Sequence, residues 1–257
     1  MSNLTLRVLV GIALIAVALL AVLLGGIPFW LLCVVLGILM MGEWADLHAT
    51  PPAIKRLAQY ALSVPLAAMM PVLGVGPGFF ALGLIGAAAF FVVITKRTTG
   101  LALGVLYVGL PIMALLVLRR QEEGIVLTVW SLALVWACDI GAYAAGRLIG
   151  GPKLAPAISP NKTWAGLGGG VVLASAFAAL MHYRYGLPLR LTLATPALAV
   201  LAQGGDLYES WLKRKAGVKD SGTLLPGHGG VLDRLDGLVP VAPVAALLVL
   251  LPKFYWW

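Results

Sequence analysis

Between Asp206 and Asp236 the chain reads DLYESWLKRKAGVKDSGTLLPGHGGVLDRLD, and these 31 residues hold 10 of its 28 Lys, Arg, Asp and Glu residues, five of each sign. The acids are Asp206, Glu209, Asp220, Asp233 and Asp236; the bases are Lys213, Arg214, Lys215, Lys219 and Arg234. A purely basic segment would suit an anionic lipid surface. Carboxylates interleaved with bases suit divalent cations held beside an anionic phosphate. Asp233 and Asp236 stand three apart, so a helix after Gly230 would turn both to one side and Arg234 away. Pro226, Gly227, Gly229 and Gly230 bracket His228 in a backbone able to bend sharply and approach a phosphate closely. The alternative is a charged interfacial loop closed on its own ion pairs.

A second polar island runs from Asp139 to Thr163. Asp139 lies inside an apolar run, where a carboxylate is expensive and marks a functional site or a buried partner such as Arg147. Ser159, Pro160, Asn161, Lys162 and Thr163 form a polar turn leading into a helix, an anion-binding helix start that the Lys162 ammonium would assist. Gly146 and Gly151 have P-loop spacing. That reading is rejected, because Pro152 stands where the lysine belongs and Leu154 where Ser or Thr belongs.

The elements that must position these residues follow from composition. Of 257 residues, 61% are hydrophobic and 11% charged, with mean hydropathy +1.00. An ordinary soluble domain is about half apolar and a quarter charged, so this composition excludes one. It also excludes a disordered chain, and two cysteines, Cys33 and Cys138, exclude a disulfide scaffold and read as packing residues. The expected fold is an all-α polytopic membrane protein with about nine transmembrane helices, near 5–25, 27–42, 57–75, 78–95, 101–118, 125–148, 165–182, 191–206 and 237–252, and a charged cytoplasmic-side active-site loop after Asp206. The first run is expected to be a retained helix rather than a cleaved signal. Residues 1–124 form an amino-terminal helical part and 125–257 a catalytic part of one integral unit.

Alternating the loops puts 13 of the 18 Lys and Arg on one side. That side is expected to be cytoplasmic, with the amino terminus and both polar islands. Net charge +8 thus sets topology and does not imply nucleic acid. Phe254, Tyr255, Trp256 and Trp257 suit interface anchoring. Gly166 and Gly170 form a GxxxG, expected at a close helix contact. Glu43, Asp46 and His48 read as a solvated loop at a span boundary, Glu122 and Glu123 as a solvated turn, and no chemistry is expected between Gly42 and Gly124.

The stretch from Ser210 to Asp236, with its Ser, Lys-Arg, Lys-Asp, Gly, Pro-x-His-Gly-Gly and Asp-Arg-x-Asp elements in register, closely resembles the signature of the phosphatidate cytidylyltransferase family. The QGGDLYES segment from Gln203, the D-x-GAY-xx-GR segment from Asp139 and the ISPNKTW segment extend the resemblance over roughly 136–240. It departs at Ala165, where the family has an acid, and at Gly151-Pro152, where a lysine is usual.

The resemblance implies transfer of a cytidylyl group from CTP to phosphatidic acid with Mg2+, and a second cation beside it, in an inner-membrane enzyme that is a homodimer. It implies Asp206 and Asp233 as metal ligands with Asp236 as a neighbour. Lys162, Lys213, Lys219 and Arg234 would hold phosphates, and His228 would donate to phosphate or orient a ligand. Asp220 completes the catalytic set. Ser159, Thr163, Arg147, Asp139, Gly229 and Gly230 complete the nucleotide side, with Asp139 acting through Arg147 or a lysine. Rival readings are a CTP-dependent isoprenoid-lipid transferase or kinase, an ion-coupled transporter with Asp139 on its path, and an inactive scaffold.

Overall fold

A backbone surrounded by hydrocarbon must satisfy its own polar groups, so long apolar runs become helices. The computed structural model describes residues 3–96, 99–224 and 229–254, with side chains for 11–96, 99–224 and 229–251. Pro226, Gly227 and His228, and the terminal Tyr255, Trp256 and Trp257 with the Phe254 side chain, lie outside the described residues. The helices are α1 (Asn3–Leu24), α2 (Gly26–Leu47), α3 (Pro52–Ala68), α4 (Phe79–Lys96), α5 (Thr99–Arg119), α6 (Gly124–Leu148), α7 (Trp164–Tyr185), α8 (Leu189–Lys215), α9 (Leu232–Leu235) and α10 (Leu238–Phe254). Among the described residues α2, α4, α5, α6 and α7 are long and apolar enough to cross a membrane, and α1 and α10 contribute shorter apolar helices.

Helix and apolar run do not always coincide. The run expected to end at 75 stops as α3 at Ala68. Pro71 disfavours helical geometry at Met70, and the Gly76 amide turns back onto the Ala68 carbonyl. Conversely, α2 and α8 continue beyond their apolar runs, to Leu47 and Lys215. These extensions hold Glu43 on α2 and Glu209 and Lys213 on α8, so that each sits on a rigid helix.

The core centres on α5, which packs against α2, α3, α4 and α10, while α8 lies between α7 and α10. α6 and α7 meet along glycines. A Cβ on Gly141 would fall 2.4 Å from the Gly169 carbonyl oxygen, and one on Gly170 2.8 Å from that of Cys138, so the expected close helix contact at Gly166 and Gly170 is present and extends to α6. Cys33 and Cys138 are both buried and unbridged, as packing residues should be.

One departure from an all-helical reading joins α6 to α7. The polar turn expected at 159–163 is instead strand β2 (Ser159–Thr163), paired antiparallel with β1 (Lys153–Ala155). Gly150 and Gly151 enter the hairpin at φ of +68° and +91°, a region that favours glycine. Thr163 then caps α7, its Oγ1 accepting the Gly166 N–H at 3.0 Å.

Candidate active site

The extension of α8 sets out its polar groups one turn apart. Asp206 accepts from the Ser210 hydroxyl at 3.3 Å, and Glu209 lies 3.3 Å from Lys213 Nζ. Lys213 then leaves its own helix: the same ammonium lies 2.6 Å from Asp233 Oδ1 on α9. The other oxygen, Oδ2, accepts the backbone N–H groups of Ser221 and Gly230, each at 2.8 Å, and has the Ser221 hydroxyl at 3.0 Å. Burial alone would raise the Asp233 pKa. The Lys213 ammonium and the two backbone donors outweigh it and hold the carboxyl below its usual range. Gly229 has φ +80°, and a Cβ there would lie 2.8 Å from Asp233 Oδ2, so glycine is required where the loop closes on the carboxylate.

The second island meets the first through Lys162. Its ammonium, on β2, lies 2.6 Å from Asp206 Oδ2 and donates to Gln203 Oε1 at 3.1 Å. The Gln203 amide nitrogen donates in turn to Asp139 Oδ1 at 3.2 Å. Asp139 is therefore tied to Lys162 through Gln203. The expected partner Arg147 donates instead to the Tyr143 hydroxyl, one turn earlier on α6, at 2.7 Å. Asp236, in the turn after α9, accepts from the Gly237 N–H at 2.7 Å. Burial first, then the charges of Asp206 and Asp139 push its carboxyl up to about 7, against the opposing Gly237 bond and Lys213.

The geometry thus draws together Asp139, Lys162, Asp206, Lys213, Asp233 and Asp236, with Gly229 and Gly230 forming the Asp233 cradle. Lys219, Asp220 and Arg234 are exposed at its edge, and Ser159 lies at the start of β2. His228 falls outside the described residues.

Sequence reasoning passed over Gln203, Glu209, Ser221 and Glu43. Glu209 is fully buried, a cost that its i,i+4 spacing to Lys213 could have flagged. Glu43 corrects an expectation outright. It does not sit in a solvated loop but inside α2, 7% exposed, accepting the N–H groups of Val231 and Leu232 at 2.8 Å each, with the Ser221 hydroxyl at 3.0 Å. Nothing in the local sequence distinguishes it. Asp46 does behave as a boundary residue, paired with Lys55, and Glu122 and Glu123 are exposed as expected.

Two ammoniums, Lys162 and Lys213, thus stand among five carboxyl groups, Asp139, Asp206, Glu209, Asp233 and Asp236. Such an excess of carboxyl groups over ammoniums suits a cation, through which a phosphate could be held, and with the apolar helices it defines an integral membrane protein with a polar reaction centre. The family model of the cytidylyltransferase family matches residues 5–251. The chain is 40% identical to the phosphatidate cytidylyltransferase of Brucella suis biovar 1 (strain 1330) over 260 residues, covering 96% of this chain and 93% of that protein. It is 33% identical to the enzyme of that name from Bacillus subtilis (strain 168) over 95% of this chain and 97% of that one. For the enzyme of that name from Rickettsia prowazekii (strain Madrid E) the identity is 30%, over 95% and 90%. The chain belongs to the cytidylyltransferase family, and it is an enzyme of nucleotidyl transfer.

Proposed function

We propose that the protein transfers the cytidylyl group of CTP to phosphatidic acid, forming CDP-diacylglycerol and pyrophosphate, with the reaction centre on the cytoplasmic side of the inner membrane. The observation that carries this reading is the meeting of Lys162 and Asp206 at 2.6 Å beside the Lys213–Asp233 pair, in a chain whose relatives at 30–40% identity over nearly their full length bear that activity in their names.

An oxygen of the lipid phosphate attacks the alpha phosphorus of CTP, forming one P–O bond, while the bond from that phosphorus to the bridging oxygen of the beta phosphate breaks and pyrophosphate departs. A phosphate monoester with a second pKa of about 6 is largely dianionic at neutral pH, so no strong protein base is required. Lys162 and Lys213 supply ammoniums for the triphosphate once their carboxylates are otherwise neutralised, with Lys219 and Arg234 at the edge.

The donor chemistry fits a divalent cation. Among the described residues no three acidic, His or Cys groups stand together as a ready-made cage, but Asp206 and Asp233 each already hold one cationic ammonium at 2.6 Å. Asp206 and Asp233, with Asp236, would hold magnesium. A divalent cation bound there would supply positive charge against the phosphates as charge develops on their oxygens. An apolar groove of about 330 Å³, lined by Trp44, Leu106, Tyr107, Tyr208 and Pro240, borders this end of α8 and suits a segment of one acyl chain of the lipid.

The test is label transfer by the purified protein in detergent micelles. Label should pass from CTP into lipid only when phosphatidic acid and magnesium are both present; a folded protein that leaves the lipid unlabelled contradicts the reading.

A further inference from the structure

Glu43 binds groups 178 to 189 residues away in the chain. Its Oε1 accepts the Val231 N–H and its Oε2 the Leu232 N–H, each at 2.8 Å. Oε2 also lies 3.0 Å from the Ser221 hydroxyl, which is itself 3.0 Å from Asp233 Oδ2. One hydroxyl, with a single proton to donate, therefore lies within reach of two carboxylates, Glu43 behind and Asp233 in front. The loop wraps Glu43 closely: a Cβ on Gly222 would come 2.8 Å from Oε1, and one on Gly230 2.5 Å from Oε2. Gly230 is also a donor to Asp233. Apart from Lys213, the donors to the Asp233 carboxylate thus come from Ser221, whose hydroxyl Glu43 reaches, and from Gly230, which adjoins the Val231 and Leu232 N–H groups that Glu43 accepts.

We propose that Glu43 is a positioning residue for the transfer reaction. From the amino-terminal half of the chain, it clamps the segment Gly230–Leu232 and the Ser221 hydroxyl so that Asp233 presents its oxygens to the cation and triphosphate. This rests on the reading of Asp233 given above. A carboxylate is required because two backbone N–H donors, one on each oxygen, must be accepted at once. Glutamine has nearly the same shape but offers one acceptor oxygen and turns an NH2 group against the other donor.

The test compares purified full-length wild type, Glu43→Gln, Ser221→Ala and the double variant, measuring kcat, KM for CTP and the magnesium concentration giving half-maximal rate, with elution profile and thermal midpoint as fold controls. Glu43→Gln should lower kcat at least tenfold and raise the magnesium requirement severalfold while eluting as wild type, and the double variant should be no worse than Glu43→Gln alone. A folded Glu43→Gln with wild-type magnesium dependence overturns the proposal, as does a loss that only follows the folded fraction. Should Glu43→Gln not fold, Ser221→Ala, which cuts only the bridge, must itself raise the magnesium requirement; an unchanged value overturns the proposal. A wild type that transfers no label defeats the parent reading, whereas an active wild type beside an unaffected pair of variants defeats this inference alone.

Discussion

Lys162 of β2 and Asp206 of α8 meet at 2.6 Å across 44 residues of sequence, and this contact turns two separate polar islands into one site. The hairpin that carries Lys162 lies between α6 and α7, whose glycines let their backbones touch, so the position of the lysine is set by that packing. Its side chain is only 17% exposed. An ammonium so held costs little reorganisation when a phosphate arrives, which is the condition for effective electrostatic stabilisation.

Replacing Lys162 by methionine keeps the length of the side chain and removes its charge. The expected loss is about a hundredfold in kcat/KM, the scale of removing one preorganised stabilising donor, with the protein still folded. Initial rates at several CTP concentrations measure it, and a change of less than about twofold would return β2 to a structural role.

Asp233→Asn leaves the Lys213 ammonium facing Glu209 and removes the charge from the most heavily bonded carboxylate of the site. Turnover should fall by about a hundredfold or more and additional magnesium should not restore it. Near-normal rates would remove Asp233 from the cation site.

Proton and cation should compete at Asp236, whose carboxyl is pushed up to about 7 by burial and by the nearby charges of Asp206 and Asp139. Below that pH the group is protonated and neutral, so cation binding must displace a proton; above it the group is already ionised. The magnesium concentration for half-maximal rate should therefore rise toward roughly tenfold per unit as pH falls from 7 to 6 and should level off above 8. Asp236→Asn should abolish that dependence. Magnesium titrations at pH 6, 7 and 8 decide it.

The glycine contact between α6 and α7 gives a stability prediction independent of the chemistry. Gly141→Ala would force a methyl to 2.4 Å from the Gly169 oxygen and should destabilise the protein by about 1–3 kcal/mol. Gly168→Ala, on α7 with open space around it, should be neutral or slightly stabilising. Thermal unfolding in detergent separates the two.

Much of this was legible in the residues. Helices stand at the expected apolar runs because in lipid the backbone has few alternatives, and the Asp206–Asp236 segment announced itself by charge in a chain that otherwise avoids it. Part of what stayed hidden depended on distance in sequence and part on local i,i+4 choices. Glu43 looked like a boundary residue because its partners are main-chain N–H groups and a serine far away, none of which carries a sequence signal. Arg147 looked like the partner of Asp139, yet it bonds Tyr143 on its own helix and leaves Asp139 to Gln203. The start of the charged segment read as loop because its charges ended the apolar run, whereas Ser210 bonding Asp206 and Lys213 pairing Glu209 at i,i+4 keep it helical to Lys215.

The reaction assigned to this site transfers the alpha phosphorus of CTP to a lipid phosphate. Parallel reactions with CTP labelled at the alpha and at the gamma position, with phosphatidic acid and magnesium, test it most directly. Alpha label entering lipid, with gamma label leaving as pyrophosphate, is the result expected of this site; gamma label in the lipid would make the enzyme a kinase and contradict the account.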